Sequence, residues 1–325
     1  MSGPVAIQAL VTGLATGAAY GLIALGFTLV WRLTSTLAFA HGDIVTGAVF
    51  VGVLAVVGTT PVALPLGAGE TAALAVVTLA AGAVLSTGVY ALAVRPFAPR
   101  ESAWGAAVTA PAVHGDAPST VLSRLAAGPL RRGALGWVAG GLAAGLLVRE
   151  LLGSIFPQQA YALPDPLGSP GTLALGGGVT LPVRALEVLA VGIAVGVLVE
   201  RTLAVTGAGA VMRAVADDAG AAALLGVPTE RVVTGAFALA GALAGLAGLL
   251  IAPRAPIGLE DGVQLGLKGM AAAMLFRLGS LRLAIVGGLL VGAVEGLILA
   301  IPSLGARWAD ITIFAGLAVL AACRR

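Results

Sequence analysis

The chain is 325 residues long, 59% of them hydrophobic and 10% charged, with a mean hydropathy of +1.05. Soluble domains are about 45–50% apolar and about 25% charged, so this chain has too few charges to clothe a water-soluble globule of its size. Its net charge of +3 sits in short stretches between apolar runs. That is the distribution of topology-setting arginine at a lipid bilayer, and no nucleic-acid partner is expected.

A chain that crosses a bilayer must satisfy its own backbone N–H and C=O groups, which leaves helices or closed barrels. Barrels are built from ~10-residue alternating segments with aromatic girdles. Here aromatics make up 5%, and the runs are rich in Ala, Gly, Leu and Val. The expected fold is all-α, one polytopic transmembrane helical bundle over residues 1–325. Nine apolar segments are predicted: 8–30, 43–58, 71–94, 134–152, 183–201, 231–252, 264–278, 283–301 and 309–323. A helix needs about 20 residues to cross the ~30 Å hydrocarbon core. The second and seventh segments are short enough to be half-helices buried in protein, so eight to ten spans are expected. No basic stretch precedes the first run, so residues 1–31 are read as a retained span and not as a cleaved signal peptide.

The basic residues orient the bundle. With the C-terminal Arg324–Arg325 inside, Arg32, Arg95, Arg100, Arg124, Arg131, Arg132, Arg201, Arg213, Arg231, Arg277 and Arg282 also fall on the inner side or at span ends. Arg149, Arg184, Arg254, Lys268 and Arg307 fall outside, a 13-to-5 asymmetry that favours a cytoplasmic C-terminus. Residues 95–133 then form a cytoplasmic loop and 153–182 an extracytoplasmic one. In the latter, Thr172 to Leu181 reads as a small β-hairpin around Gly176–Gly178. It is either a plain surface loop or a cap that meets a soluble partner. The glycine spacings Gly241/Gly245/Gly248 and Gly292/Gly296 fit close helix packing; lining of a narrow solute path fits them as well.

Few polar residues carry chemistry. Cys323 is the single cysteine, so no disulfide and no cysteine-based metal site is expected. His41 and Asp43 open the second segment, and Asp43 is expected to cap that helix. The other histidine is His114, so His41 lacks partners for catalysis or metal binding and is assigned a structural or gating role. Glu295 lies in mid-span, where a carboxylate is expensive enough to mark a solute path; the alternative is a buried partner for an arginine or a backbone donor. Thr12, Thr16 and Thr28 are further polar positions, each able to bond its own helix backbone. Residues 202–230 form an inner loop, and 209–228 read as one short helix with Val215, Ala219, Ala222 and Leu225 on a shallow apolar face. Gly226-Val-Pro228 is its stop signal. It is either a solvated connection or a docking element for a soluble partner.

These residues resemble the permease subunits of branched-chain amino acid ABC importers, of the LivH type. The resemblance runs over nearly the whole chain. It rests on Gly21-Leu-Ile-Ala-Leu-Gly-Phe-Thr-Leu-Val30, Phe39-Ala-His-Gly42, Arg95-Pro96, Met212-Arg-Ala-Val-Ala-Asp217, Leu225-Gly-Val227, Leu267-Lys-Gly269 and Leu278-Gly-Ser280. The resemblance implies that 209–228 is the coupling loop, with Arg213, Ala216, Asp217, Ala221 and Gly226 toward an ATPase. It also implies cytoplasmic ATPase subunits, a second permease subunit (identical or merely similar) and an extracytoplasmic solute-binding protein. The location implied is the inner or plasma membrane of a bacterium or archaeon. The chain departs from the family pattern at Ala38, where an asparagine is common, and at Phe276–Arg277, where a Gly-Gly pair is usual.

No G-xxxx-G-K-[ST] run is present, so hydrolysis of ATP is expected in a separate subunit and no cofactor in this chain. The expected activity is translocation of branched-chain or related amino acids by alternating access, with His41, Asp43 and Glu295 as candidate path or gating residues. Urea and amide importers use a closely similar permease, and a secondary carrier working without an ATPase is the other alternative.

Overall fold

The computed structural model describes residues 3–58, 66–97, 132–157, 160–163, 165, 171–174, 178–254, 256–301 and 306–323. The predicted 95–133 loop lies almost wholly outside the described residues, as do His114 and Arg324–Arg325. The helices are α1 (Gly3–Thr34), α2 (His41–Val56), α3 (Ala68–Val89), α4 (Arg132–Gly153), α5 (Val183–Val205), α6 (Gly207–Asp217), α7 (Ala219–Leu224), α8 (Thr229–Ile251), α9 (Asp261–Leu275), α10 (Leu281–Leu299) and α11 (Ala306–Cys323). Strands β1 (Thr172–Ala174) and β2 (Thr180–Pro182) pair antiparallel between α4 and α5, as the sequence predicts. Among the described residues, six helical stretches are long and apolar enough to cross a membrane: Gly3–Thr34, Ala68–Val94, Gly136–Gly153, Val183–Val205, Thr229–Arg254 and Leu281–Leu299.

α1 is the axis of the bundle. It packs against α5, α8, α9 and α10, and everything from Ala18 to Val30 along it is buried. At 1.5 Å per residue its 32 residues reach roughly 48 Å, well beyond a ~30 Å apolar layer. α2 and α9, with 16 and 15 residues, are too short to span unaided. Both sit against other helices: α2 between α3, α4, α8 and α9, and α9 between α1, α2, α10 and α11. Half-length helices survive at membrane depth when protein covers them.

Lipid tails are as apolar as leucine, so helix association in a membrane rests on close packing of small residues. The most extensive seam joins α1 to α10. A side-chain carbon on Gly17 would lie 2.6 Å from the Gly288 carbonyl oxygen, and one on Gly296 would lie 2.7 Å from Gly13 Cα. Gly241 and Gly245 of α8 press in the same way on Gly82 and Thr78 of α3, and Gly248 presses on Val45 and Val49 of α2. Both glycine spacings singled out in the sequence therefore lie at helix crossings.

The bundle has two unlike ends. One gathers the C-termini of α1 and α5, the short helices α6 and α7, the start of α8 and the turn 276–280; this is the α6–α7 end. α3 also finishes there, and its last turn widens into a π-turn over Tyr90–Val94 before Pro96. Proline supplies no N–H and its ring crowds the carbonyl four residues back, so the α-helical ladder cannot continue through it. Arg95 then pairs with Glu230 of α8 at 2.8 Å. The opposite end carries the β-hairpin and the segment after α4. There Tyr161 and Ile257 exchange backbone hydrogen bonds at 2.9 and 3.0 Å. Phe156 and Tyr161 pack on Phe50, tilted and edge to face, with centroids 5.0 and 5.7 Å away.

Candidate functional site

Two regions carry the functional residues expected from the sequence. At the α6–α7 end, the stretch read as one helix over 209–228 is two helices broken at Asp218. The break has a local cause. Asp218 adopts extended backbone angles and its Oδ1 accepts from the Ala221 N–H at 2.9 Å, which caps α7. Thr206 caps α6 through the Gly209 N–H at 3.3 Å. α7 ends in a Schellman turn: Gly226 N–H donates to Ala223 O at 2.9 Å, Val227 N–H donates to Ala222 O at 3.0 Å, and Gly226 has φ +82°.

The apolar face of this element is turned inward. Val215 and Ala222 are buried, with Ala219 half-buried, against Leu29 and Leu33 of α1 and Ala236 of α8. The face predicted as a docking surface is thus largely the one that clamps the element to its own bundle. Leu225 is the exception. With Leu224 it stands out at the tip, at 85% and 91% exposure. Of the residues implied by the resemblance, Arg213, Asp217, Ala221 and Gly226 are exposed and Ala216 is half-buried. Arg213 is held by a 2.5 Å hydrogen bond to Leu203 O, so its stem lies along α5.

The second region is an ion network inside the bundle. Lys268 of α9 bridges two carboxylates, Glu295 of α10 at 2.7 Å and Asp310 of α11 at 2.9 Å. Lys268 and Glu295 retain only 11% and 13% of their side-chain exposure, so neither charge can be left to water. The Tyr20 ring of α1 lies 5.9 Å below the ammonium. Arg254, at the end of α8, donates to the Thr16 hydroxyl of α1. A cavity of about 310 Å³ adjoins the network, lined by Ile251, Pro256, Ile257 and Leu265 together with Arg254, Asp261, Gln264 and Lys268. It offers both signs of charge beside aliphatic walls.

Glu295, read from the sequence as a solute-path residue with a buried arginine or backbone-donor partner as the alternative, is paired with a lysine. Lys268, grouped by sequence with the outer charges, is a helical residue of the interior. No functional role follows from the sequence for Lys268, Asp310, Arg254 or Tyr20. The available signal was opposite charge, since Lys268, Glu295 and Asp310 each fall in a different predicted apolar segment. Thr12, Thr16 and Thr28 bond the carbonyls four residues back, at 2.8, 3.1 and 2.8 Å, and Thr16 alone also serves a charged group.

The three candidate path residues do not form one site. His41 is buried with its ring 4.7 Å from Phe27, edge to face, against Gly26. Its Nε2 has no hydrogen-bond partner among the described residues. Asp43 faces Gly145 of α4 and is the third residue of α2, not its cap; the residue at the cap position is Ala40, which contributes no side-chain bond. Its carboxylate still lies in the first turn, where the helix dipole favours negative charge. Among the described residues no cluster of three or more His, Cys, Asp or Glu is placed to hold a metal ion.

The Phe276–Arg277 departure has a backbone explanation. α9 ends in the same Schellman turn as α7: Arg277 N–H donates to Met274 O at 2.9 Å and Leu278 N–H to Ala273 O at 3.1 Å. Arg277 occupies the position held by Gly226 in α7, with φ +61°. The usual glycines are therefore replaced in a helix-ending turn, not in a helix crossing.

Long apolar helices, buried half-length helices and a polar interior define a multi-pass helical membrane protein. The chain belongs to the family described as "Branched-chain amino acid transport system / permease component", which matches residues 9–321. It is a permease subunit. It is similar to the high-affinity branched-chain amino acid transport system permease protein BraD of Pseudomonas aeruginosa, 26% identical over 97% of this chain and 92% of the relative. It is also similar to LivH of Escherichia coli and of Salmonella typhimurium, each 23% identical over 95% of this chain and 90% of the relative. No solved structure matches the chain.

Proposed function

We propose that this chain is the translocation subunit of an ATP-driven importer for branched-chain or related amino acids, working by alternating access. The observation that carries the reading is the α6–α7 element: clamped to the bundle by Val215 and Ala222, it presents Leu224, Leu225 and Asp217 outward. An element rigidly packed on α1 and α8 transmits a push from a bound ATPase to the helices that line the interior. ATP and solute then need only prefer different states of the bundle. Arg213, Ala216, Asp217, Ala221 and Gly226 shape or support that surface.

Charge orients the bundle. Arg32, Arg95, Arg201, Arg213, Arg231, Arg277 and Arg282 lie toward the α6–α7 end, against Arg149, Arg184 and Arg254 toward the other. This supports a cytoplasmic α6–α7 end and a C-terminus that returns to it after α11. The hairpin end then faces the solute-binding protein, and a second permease subunit completes the pathway. The cavity at Arg254 and Lys268 opens on that outer side, and its aliphatic walls and mixed charges suit a zwitterion with a branched apolar side chain. Glu295 acts there by holding Lys268; His41 and Asp43 tie the start of α2 to α1 and α4.

The test is co-purification with a candidate ABC ATPase subunit from the same organism, followed by leucine uptake into proteoliposomes holding both with a candidate binding protein. Leu225→Asp together with Asp217→Lys is expected to abolish ATPase capture while leaving the monodisperse membrane fraction intact. Uptake that proceeds without ATPase or ATP would refute the reading and favour a carrier.

A further inference from the structure

Three charged side chains line the cavity of about 310 Å³, and they differ in what holds them. Lys268 is taken by Glu295 and Asp310, at 2.7 and 2.9 Å. Arg254 meets only a neutral oxygen, the Thr16 hydroxyl. Asp261 turns Oδ2 to the Gly258 N–H at 2.7 Å. Among the described residues neither Arg254 nor Asp261 is paired with an opposite charge, and they do not pair with each other, although both face the same cavity. The local sequence arranges this. Asp261, Gln264, Leu265 and Lys268 fall at i, i+3, i+4 and i+7, one face of α9, and all four line the cavity. Arg254 comes from the 3-10 turn that closes α8, one turn beyond Ile251. Ile257 is fixed by its two backbone hydrogen bonds with Tyr161.

Ionisable residues among spanning helices either pair with one another or mark a solute path. Lys268, Glu295 and Asp310 do the first. Arg254 and Asp261 leave one charge of each sign open to a shared space, and the molecule that answers both carries one of each itself. We infer that Arg254 and Asp261 form a two-point clamp for a zwitterion, an assignment that rests on the importer function proposed above. Arg254 takes the carboxylate and Asp261 Oδ1 takes the ammonium. Ile251, Ile257 and Leu265 receive the aliphatic side chain. Lys268 does not compete for the carboxylate, because its ammonium already serves two. Thr16 is a positioning residue: its hydroxyl donates to Thr12 O at 3.1 Å and presents its oxygen to Arg254. A neutral amide such as urea answers neither charge. A site built around groups that need a partner discriminates strongly against a ligand that leaves them bare.

The experiment uses the full chain in lipid nanodiscs, with Cys323→Ser removing the native thiol and Gln264→Cys placing one in the cavity wall. Alkylation of that thiol by N-ethylmaleimide is followed by intact mass, and each ligand is scored by the concentration that halves the rate. Leucine is expected to protect. Isocaproate, which lacks the ammonium, and isoamylamine, which lacks the carboxylate, are each expected to protect about tenfold more weakly or worse. Isocaproamide and urea are expected not to protect. Asp261→Asn keeps the acceptor for Gly258 and is expected to drop leucine to the level of isocaproate, with isocaproate itself unchanged. Arg254→Gln is expected to drop leucine to the level of isoamylamine, with isoamylamine unchanged. Thr16→Val is expected to follow Arg254→Gln in part, and Thr16→Ser to restore the parent. An Asp261→Asn variant that loses leucine and isocaproate equally overturns the assignment of the ammonium, since a distorted wall weakens both. Protection by isocaproamide equal to that by leucine overturns selection for a zwitterion, and no protection by leucine up to its solubility overturns the site. The assay contains no ATPase, ATP or binding protein, so the clamp can fail while ATP-dependent uptake stands, and the reverse.

Discussion

Removing the Lys268 ammonium strands two carboxylates that share it. Glu295 Oε1 and Asp310 Oδ1 both touch the one Nζ, at 2.7 and 2.9 Å, so they lie no more than about 5.6 Å apart. At an effective dielectric of about 20, two like charges at that distance repel by about 3 kcal/mol. Loss of one partner from a buried pair costs about 3–5 kcal/mol by itself. Lys268→Met is therefore expected to destabilise the chain by at least 3 kcal/mol. Glu295→Gln is milder, about 1–2 kcal/mol, because Lys268 keeps Asp310 and the amide still accepts a hydrogen bond. The sharper expectation is a change of sign. In the Lys268→Met background, Glu295→Gln removes the repulsion and stabilises, leaving Asp310, which is 35% exposed, to find solvent. Thermal unfolding in lipid nanodiscs, followed by tryptophan fluorescence, reads this as a double-mutant cycle. At ~1–2 °C per kcal/mol for a chain of this length, Lys268→Met loses several degrees. A double variant that melts below Lys268→Met refutes the network as the origin of the effect.

Three further outcomes follow from named geometry. Arg277→Gly is expected to raise stability by about 0.5–1 kcal/mol, since the left-handed φ of +61° strains a residue with a Cβ; Leu278→Gly, at φ +55° but with a buried side chain, is expected to lower it, and both are read by the same melts. Gly292→Val inserts a side chain where α10 touches the α1 backbone, and is expected to abolish the monodisperse size-exclusion peak, while Gly316→Val, with open space around it, leaves the peak unchanged. Asp218→Ala removes the cap of α7 at a cost of about 1 kcal/mol, and faster hydrogen exchange confined to 219–226 is the expected readout.

Much of the fold is legible because the bilayer imposes one rule on every segment. The nine predicted apolar segments all coincide with helices, including the two short ones at 43–58 and 264–278. The β-hairpin is legible because Gly176–Gly178 separates two alternating strands. What lies beyond one-dimensional reading is direction. Val215 and Ala222 are apolar at helical spacing whether they face a partner or their own bundle, and only the packing of α1 and α8 decides it. The Asp218 break was missed because an aspartate reads equally as surface charge and as a cap. Lys268 was misplaced because a lone basic residue near a segment end counts toward topology by default. Its two carboxylates lie 27 and 42 positions further on, in other helices, and no local pattern joins them.

The α1–α10 seam also orders events in time. α1 is made well before α10, so the small-residue face that mates with α10 stays uncovered until Leu281 to Leu299 has been synthesised. With about 250 residues between the two helices, translation at roughly 5–20 residues per second leaves that face bare for about 12–50 s. During this interval lipid or an insertion chaperone must occupy it. A chain truncated before α10 keeps a permanently open groove along its central helix, which gives membrane proteases a feature that separates unfinished chains from finished ones.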